Sequence, residues 1–62
     1  MHLTLNGVPL DVDVTTLAYL VGPLPAGHAA AVNLEVVPRA EHGRVVLADG
    51  DVVDVVTAVA GG

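Results

Sequence analysis

Residues 52–56, Val52-Val53-Asp54-Val55-Val56, are apolar on both alternations of an extended chain and broken only at Asp54. A short β-branched run of this kind predicts a strand at the centre of a sheet, with neighbours on both edges. It follows Ala48-Asp49-Gly50-Asp51, a turn in which the glycine offers a left-handed position. The chain then ends Thr57-Ala58-Val59-Ala60-Gly61-Gly62.

Further strands are legible towards the N-terminus. Leu3 and Leu5 share one face, with His2, Thr4 and Asn6 on the other, so residues 2–6 read as a half-buried strand. Asn6-Gly7 is a two-residue hairpin signal, because both residues accept positive φ. Val8, Leu10, Val12 and Val14 continue the alternation against Pro9, Asp11 and Asp13. A proline that cannot donate and two carboxylates predict an edge strand protected from self-pairing.

At Thr15-Thr16 the period changes. Either threonine can cap a helix whose apolar stripe is Leu17, Leu20 and Val21, stopped by Gly22-Pro23. A Pro- and Gly-rich loop runs to about His28, followed by a strand over 29–33 and a tight turn at Leu34-Glu35. Val36-Val37-Pro38 is a short extended piece, residues 39–43 suit a single helical turn, and residues 44–47 extend again. The order predicts an α+β domain: a mixed sheet of four to five strands with one main helix packed across it. The division expected is a folded domain over 1–57 and a flexible C-terminal tail over 58–62.

Composition narrows the function. Sixty-two residues leave room for one small domain near the lower size limit for independent folding. Seven acidic residues face two basic ones, Arg39 and Arg44, for a net charge of −5. That balance is unsuited to phosphate backbones and to anionic membranes, so neither nucleic acid nor membrane is expected as a partner. No apolar run approaches the roughly 20 residues of a membrane span, and a cytoplasmic location is expected. The chain has no Cys, Ser or Lys, which removes the usual Ser and Cys nucleophiles and side-chain Schiff bases. His2, His28 and His42 follow no metal-ligand spacing and read as scattered surface residues. Asp49, Asp51 and Asp54 are too few and wrongly spaced for a Ca²⁺ loop, so no metal is expected.

What remains is the end of the chain. Two residues without side chains allow a terminal carboxylate to thread a channel that a bulkier tail could not enter. Such a carboxylate can attack ATP at phosphorus to give an acyl-adenylate, whose carbonyl then accepts sulfur or nitrogen. The reactive group would be the main chain of Gly62, and the domain a handle.

The chain resembles the ubiquitin-like sulfur-carrier proteins, most closely those of thiamine biosynthesis. The resemblance is carried in order by Asn6-Gly7, Ala31-Val32-Asn33, Val36-Val37-Pro38-Arg39, Asp49-Gly50-Asp51-Val52-Val53 and Ala58-Val59-Ala60-Gly61-Gly62. It implies a ubiquitin-like β-grasp fold and a protein cosubstrate, not an enzyme. In that family a ubiquitin-activating-type adenylyltransferase adenylates the terminal glycine, and a persulfide relay converts it to a thiocarboxylate. Thiazole synthase then takes the sulfur to build the thiazole. No bound cofactor is implied; ATP and the sulfur donor are used through the activating enzyme.

Carried over by position, Gly62 is the covalent site and Gly61 the access residue. Ala60, Val59 and Ala58 form the tail that enters partner sites. Asp49, Asp51 and Arg39 are candidates for partner docking, and the free protein is expected to be a monomer. Two positions depart from the family pattern: Leu34 stands where relatives carry Gly or a polar residue, and His42 where some carry an aromatic.

Other readings remain open on the residues. A carrier for molybdopterin, tRNA thiolation or cysteine synthesis shares the fold and ending, although molybdopterin carriers tend to be longer, with prolines before the tail. Here Thr57-Ala58-Val59 stands instead. A ubiquitin-like modifier joined through Gly62 to a target lysine, or a binding module that merely ends in glycines, are alternatives from other classes.

Overall fold

The computed structural model describes residues 1–13 and 15–57. The predicted inward position of Val14 lies outside them. Five strands, β1 (His2–Leu5), β2 (Val8–Asp11), β3 (His28–Val32), β4 (Glu35–Val37) and β5 (Val52–Thr57), form one sheet in the order β2-β1-β5-β3-β4. β5 is therefore central, as its composition predicts. It runs parallel to β1 and antiparallel to β3. The edge β2 carries Pro9 and Asp11, the devices that discourage pairing with another chain.

Both hairpins turn on two residues. Asn6 (φ 50°) and Gly7 (φ 80°) join the paired Leu5 and Val8. Asn33 (φ 51°) and Leu34 (φ 71°) join the paired Val32 and Glu35. Two consecutive positive φ values match the twist of the flanking strands. The second turn thus lies one residue earlier than Leu34-Glu35, and the strand before it spans His28–Val32. Asn33 belongs to the turn because its short polar side chain tolerates the left-handed region.

The single helix α1 (Leu17–Val21) has five residues, too few to be stable alone. Its first amide donors all find acceptors. Leu17 N–H donates to Val45 O at 2.8 Å, Ala18 N–H to His42 O at 3.0 Å, and Tyr19 N–H to the Thr16 hydroxyl at 3.2 Å. Thr16 is thus the cap, and the stretch after the 3₁₀ turn Arg39–Glu41 acts as a brace for the helix. The predicted extension over 44–47 reduces to one β-bridge, Thr16 with Val46, because these residues serve the helix and not the sheet. Leu47, which donates to Thr15 O at 2.9 Å, is buried beneath it.

Leu3, Leu17, Ala30, Leu47 and Val53 make the core, with Leu10, Leu20, Val21, Val32 and Val37 packed around them. One side of the sheet is thereby covered. Among the described residues the other carries no second layer: Val52 and Val56 on β5 and Val36 on β4 are 39%, 49% and 63% exposed. The apolar character of β5 on both alternations reflects one core face and one bare face.

Val53 is fully buried, and an unpaired charge there costs several kcal/mol. A domain of this size has only about 3–5 kcal/mol of net stability. Val53→Asp should therefore show no cooperative unfolding transition in urea. Leu34 is 90% exposed in a left-handed conformation. Leu34→Gly should raise stability by about 0.5–1 kcal/mol, the relief of strain less the added freedom of the unfolded chain. The measurement is the shift in urea midpoint.

Candidate functional site

The sequence analysis expects the reactive group at the C-terminus, and β5 is the last described element before it. Ala58, Val59, Ala60, Gly61 and Gly62 lie outside the described residues. Thr57, the last residue of β5, pairs with His28 at the start of β3. The geometry of the site is therefore the geometry of this strand and its surroundings.

Both turn asparagines grip β5. Asn6 N–H donates to Val53 O at 2.9 Å, and the Asn6 side-chain oxygen accepts from Val55 N–H at 2.7 Å. Parallel pairing between β1 and β5 covers only Thr4 with Val52 and Leu5 with Val53. The Asn6 amide replaces the main-chain carbonyl that β1 lacks beyond its turn, and so extends the ladder towards the tail. On the other flank Asn33 N–H donates to Val52 O at 2.7 Å, and its side-chain oxygen accepts from Val52 N–H at 2.9 Å. Sequence reasoning identified Asn6 as a turn residue but missed both side-chain roles. An asparagine at a left-handed hairpin position was the available signal; the strand its amide reaches was not readable.

Two concavities open on the helix side. One, of about 450 Å³, is lined by Val12, Asp13, Thr15, Tyr19 and Leu20. The other, of about 410 Å³, includes Gly22, Leu24, Arg39 and His42. Neither gathers a nucleophile with a base among the described residues. His42 is not a surface histidine: it is 7% exposed, with Nε2 3.0 Å from Val37 O, because the 3₁₀ turn folds its ring inward. No helix of the described residues is long and apolar enough to cross a membrane.

Comparison with known proteins agrees with this architecture. The family model described as "ThiS family" matches residues 4–62. The chain belongs to the ThiS family. A crystal structure of a thiamine biosynthesis protein (ThiS) from Geobacter metallireducens superimposes with a TM-score of 0.82 at 28% identity, covering 100% of both chains. No significant match was found among curated proteins. The fold is thus the β-grasp arrangement of ThiS, with a mixed sheet gripping a short helix.

The three polar residues singled out for docking hold structure within this ThiS-family domain. The Asp49 carboxylate accepts from His2 N–H at 2.6 Å, tying the turn before β5 to β1. Asp51 accepts from Ala48 N–H at 2.7 Å and from the Asn33 amide nitrogen at 3.0 Å. Arg39 donates to Leu24 O at 2.6 Å and Pro25 O at 3.1 Å, fastening the loop between α1 and β3. Asp49 and Arg39 are exposed and Asp51 half-buried. Asp49 and Asp51 sit together at the start of β5, whereas Arg39 lies against the α1–β3 loop.

The two asparagines should respond differently to substitution. Asn6→Ala loses an acceptor and strains a left-handed position, at a cost of about 1–3 kcal/mol, and should speed hydrogen exchange at Val55 N–H. Asn6→Asp keeps an acceptor and should fall well short of that loss. Asn33→Asp would set a carboxylate against Asp51 in place of a donor and should cost at least as much as Asn6→Ala. Urea unfolding with amide exchange checks all three.

Proposed function

We propose that this chain is a sulfur carrier of thiamine biosynthesis, a protein cosubstrate whose terminal glycine is activated and loaded by other proteins. The observation that carries the reading is a Gly61-Gly62 end a few residues beyond the central strand, in a chain matched by the ThiS family through residue 62. The structural likeness to a thiamine biosynthesis protein supports the pathway.

The chemistry follows from the carboxylate. An oxygen of Gly62 attacks the α-phosphorus of ATP, and pyrophosphate leaves. Sulfur from a persulfide attacks the acyl-adenylate carbonyl, and AMP leaves. Cleavage of the acyl disulfide by a thiol leaves a thiocarboxylate on Gly62, which thiazole synthase consumes. The adenylyltransferase supplies the ATP site, and this chain supplies the carbonyl and its delivery. Gly61 lets the end enter a narrow site, with Ala60, Val59 and Ala58 behind it. Asp49, Asp51 and Arg39 are proposed as rim contacts, through the parts of these side chains left facing solvent. The site of action is proposed to be the cytoplasm, with the free carrier a monomer.

Incubation with the ATP-dependent activating enzyme of the same organism and a sulfur donor should place one sulfur on the C-terminal fragment. Fragment mass spectrometry is needed because oxidation of Met1 adds nearly the same mass. A plain carboxylate refutes the carrier reading, and amide adducts to lysines identify a modifier. Deletion of Gly62 should abolish loading while leaving the urea midpoint within about 0.5 kcal/mol of wild type. Gly61→Leu should fold equally well and lose activation by at least about a hundredfold, as a misfit at a reacting centre does.

A further inference from the structure

Across β5, β3 and β4 the bare face of the sheet is apolar with one charge, Asp54, and over β1 and β2 it continues with His2, Thr4, Pro9 and Asp11. Register places Val52, Asp54 and Val56 of β5 on that face, with Ala29 and Ala31 of β3 and Val36 of β4 beside them. Asp54 is directly opposite Ala31, whose methyl group offers no partner, and Val36 lies beyond in the same row. The two ion pairs among the described residues both involve Asp11, and the Asp54 carboxylate takes part in no hydrogen bond among them. Arg39 is committed to the Leu24 and Pro25 carbonyls.

This face is borne in part by β5, the strand that leads towards the C-terminus. Five residues beyond Thr57 can span at most about 18 Å, so a protein reacting with Gly62 must lie close to the end of β5. On the helix side, α1 and the residue 42–47 brace stand between the sheet and any visitor. On the other side the sheet itself is exposed. A partner that settles on Val36, Val52 and Val56 would also bury Asp54, and a carboxylate buried without a counter-charge is strongly unfavourable. The partner must therefore bring a cation to this spot.

We propose that Asp54 is a specificity-determining docking residue. The activating enzyme of this carrier covers the bare sheet face with an apolar patch that contains a guanidinium aimed at Asp54. Arginine suits the role because its planar fork meets a carboxylate with two hydrogen bonds and is more weakly hydrated than an ammonium. The carrier's net charge of −5 favours encounter with a basic surface. The inference rests on the carrier reading and adds to it the chemistry by which the partner is recognised.

The test compares wild type, Asp54→Asn and Asp54→Leu with the activating enzyme of the same organism. Affinity is measured at two salt concentrations and adenylation by ATP–pyrophosphate exchange. Thermal unfolding controls for folding; leucine on a strand face should not lower the midpoint. Both variants should bind at least about tenfold more weakly than wild type and lose much of its salt dependence. Adenylation should show a raised KM and an unchanged kcat, since a docking residue does not touch the reacting atoms.

A purely apolar contact predicts the opposite sign, with Asp54→Leu binding more tightly; equal or tighter binding overturns the proposal. Self-association of Asp54→Leu with wild-type affinity for the enzyme also overturns it, and would make Asp54 a guard against pairing of bare faces. No exchange with the wild-type chain would instead refute the carrier reading, and the inference with it.

Discussion

β5 is held from both sides by amide groups that are not part of any strand. Its neighbours β1 and β3 each end in a two-residue turn, and each turn places an asparagine in the left-handed region with its side-chain oxygen on a β5 amide. Main-chain pairing from β1 ends at Val53, so without Asn6 the Val55 amide would face its β1 flank unpaired. An unpaired amide next to the core is costly, and a domain this small has little to set against the cost. The rest of the sheet is arranged around a strand fixed in this way.

The same economy shapes the helix. Five residues cannot hold a helix by propensity or by hydrogen bonds of their own. α1 persists because Val45 O, His42 O and the Thr16 hydroxyl accept its first three amides, and because Leu17 is wholly buried. Residues 42–47 thus do the work of a second layer without regular secondary structure. Leu47 joins the core from this stretch, and the His42 ring closes against Val37 O. One helix and one brace cover one face of the sheet and leave the other bare.

That asymmetry suits the proposed carrier role, in which the chemistry would occur at the end of the chain and be carried out by other proteins. In the proposed carrier role the described residues supply the strand that leads to the tail and an exposed face that is apolar on β3, β4 and β5 apart from Asp54, while the reacting carbonyl would be that of Gly62. A carrier must be recognised by more than one partner in turn. A face that is apolar yet contains Asp54 admits partners with a matching cation and disfavours those without one.

By itself the sequence determined the first hairpin, the helix position and the central place of residues 52–56, because each is written in local pattern. Alternation marked β1 and β2, Asn6-Gly7 their turn, Thr15-Thr16 and Gly22-Pro23 the helix limits, and Val52–Val56 the centre of the sheet. The Gly61-Gly62 ending, with the short family motifs, pointed to the family. Tertiary structure alone decided what depends on residues distant in the chain. Asn33-Leu34 became the turn because the register of β3 on β5 and β4 fixes which residues lie between paired strands. Residues 44–47 became a brace because unpaired helix amides needed carbonyls. His42 went inward, Arg39 went to the Leu24 and Pro25 carbonyls, and the Asn6 amide reached a residue 49 positions away. Hydrogen-bond partners of this kind are chosen by proximity in space, and no local pattern in a chain encodes that proximity.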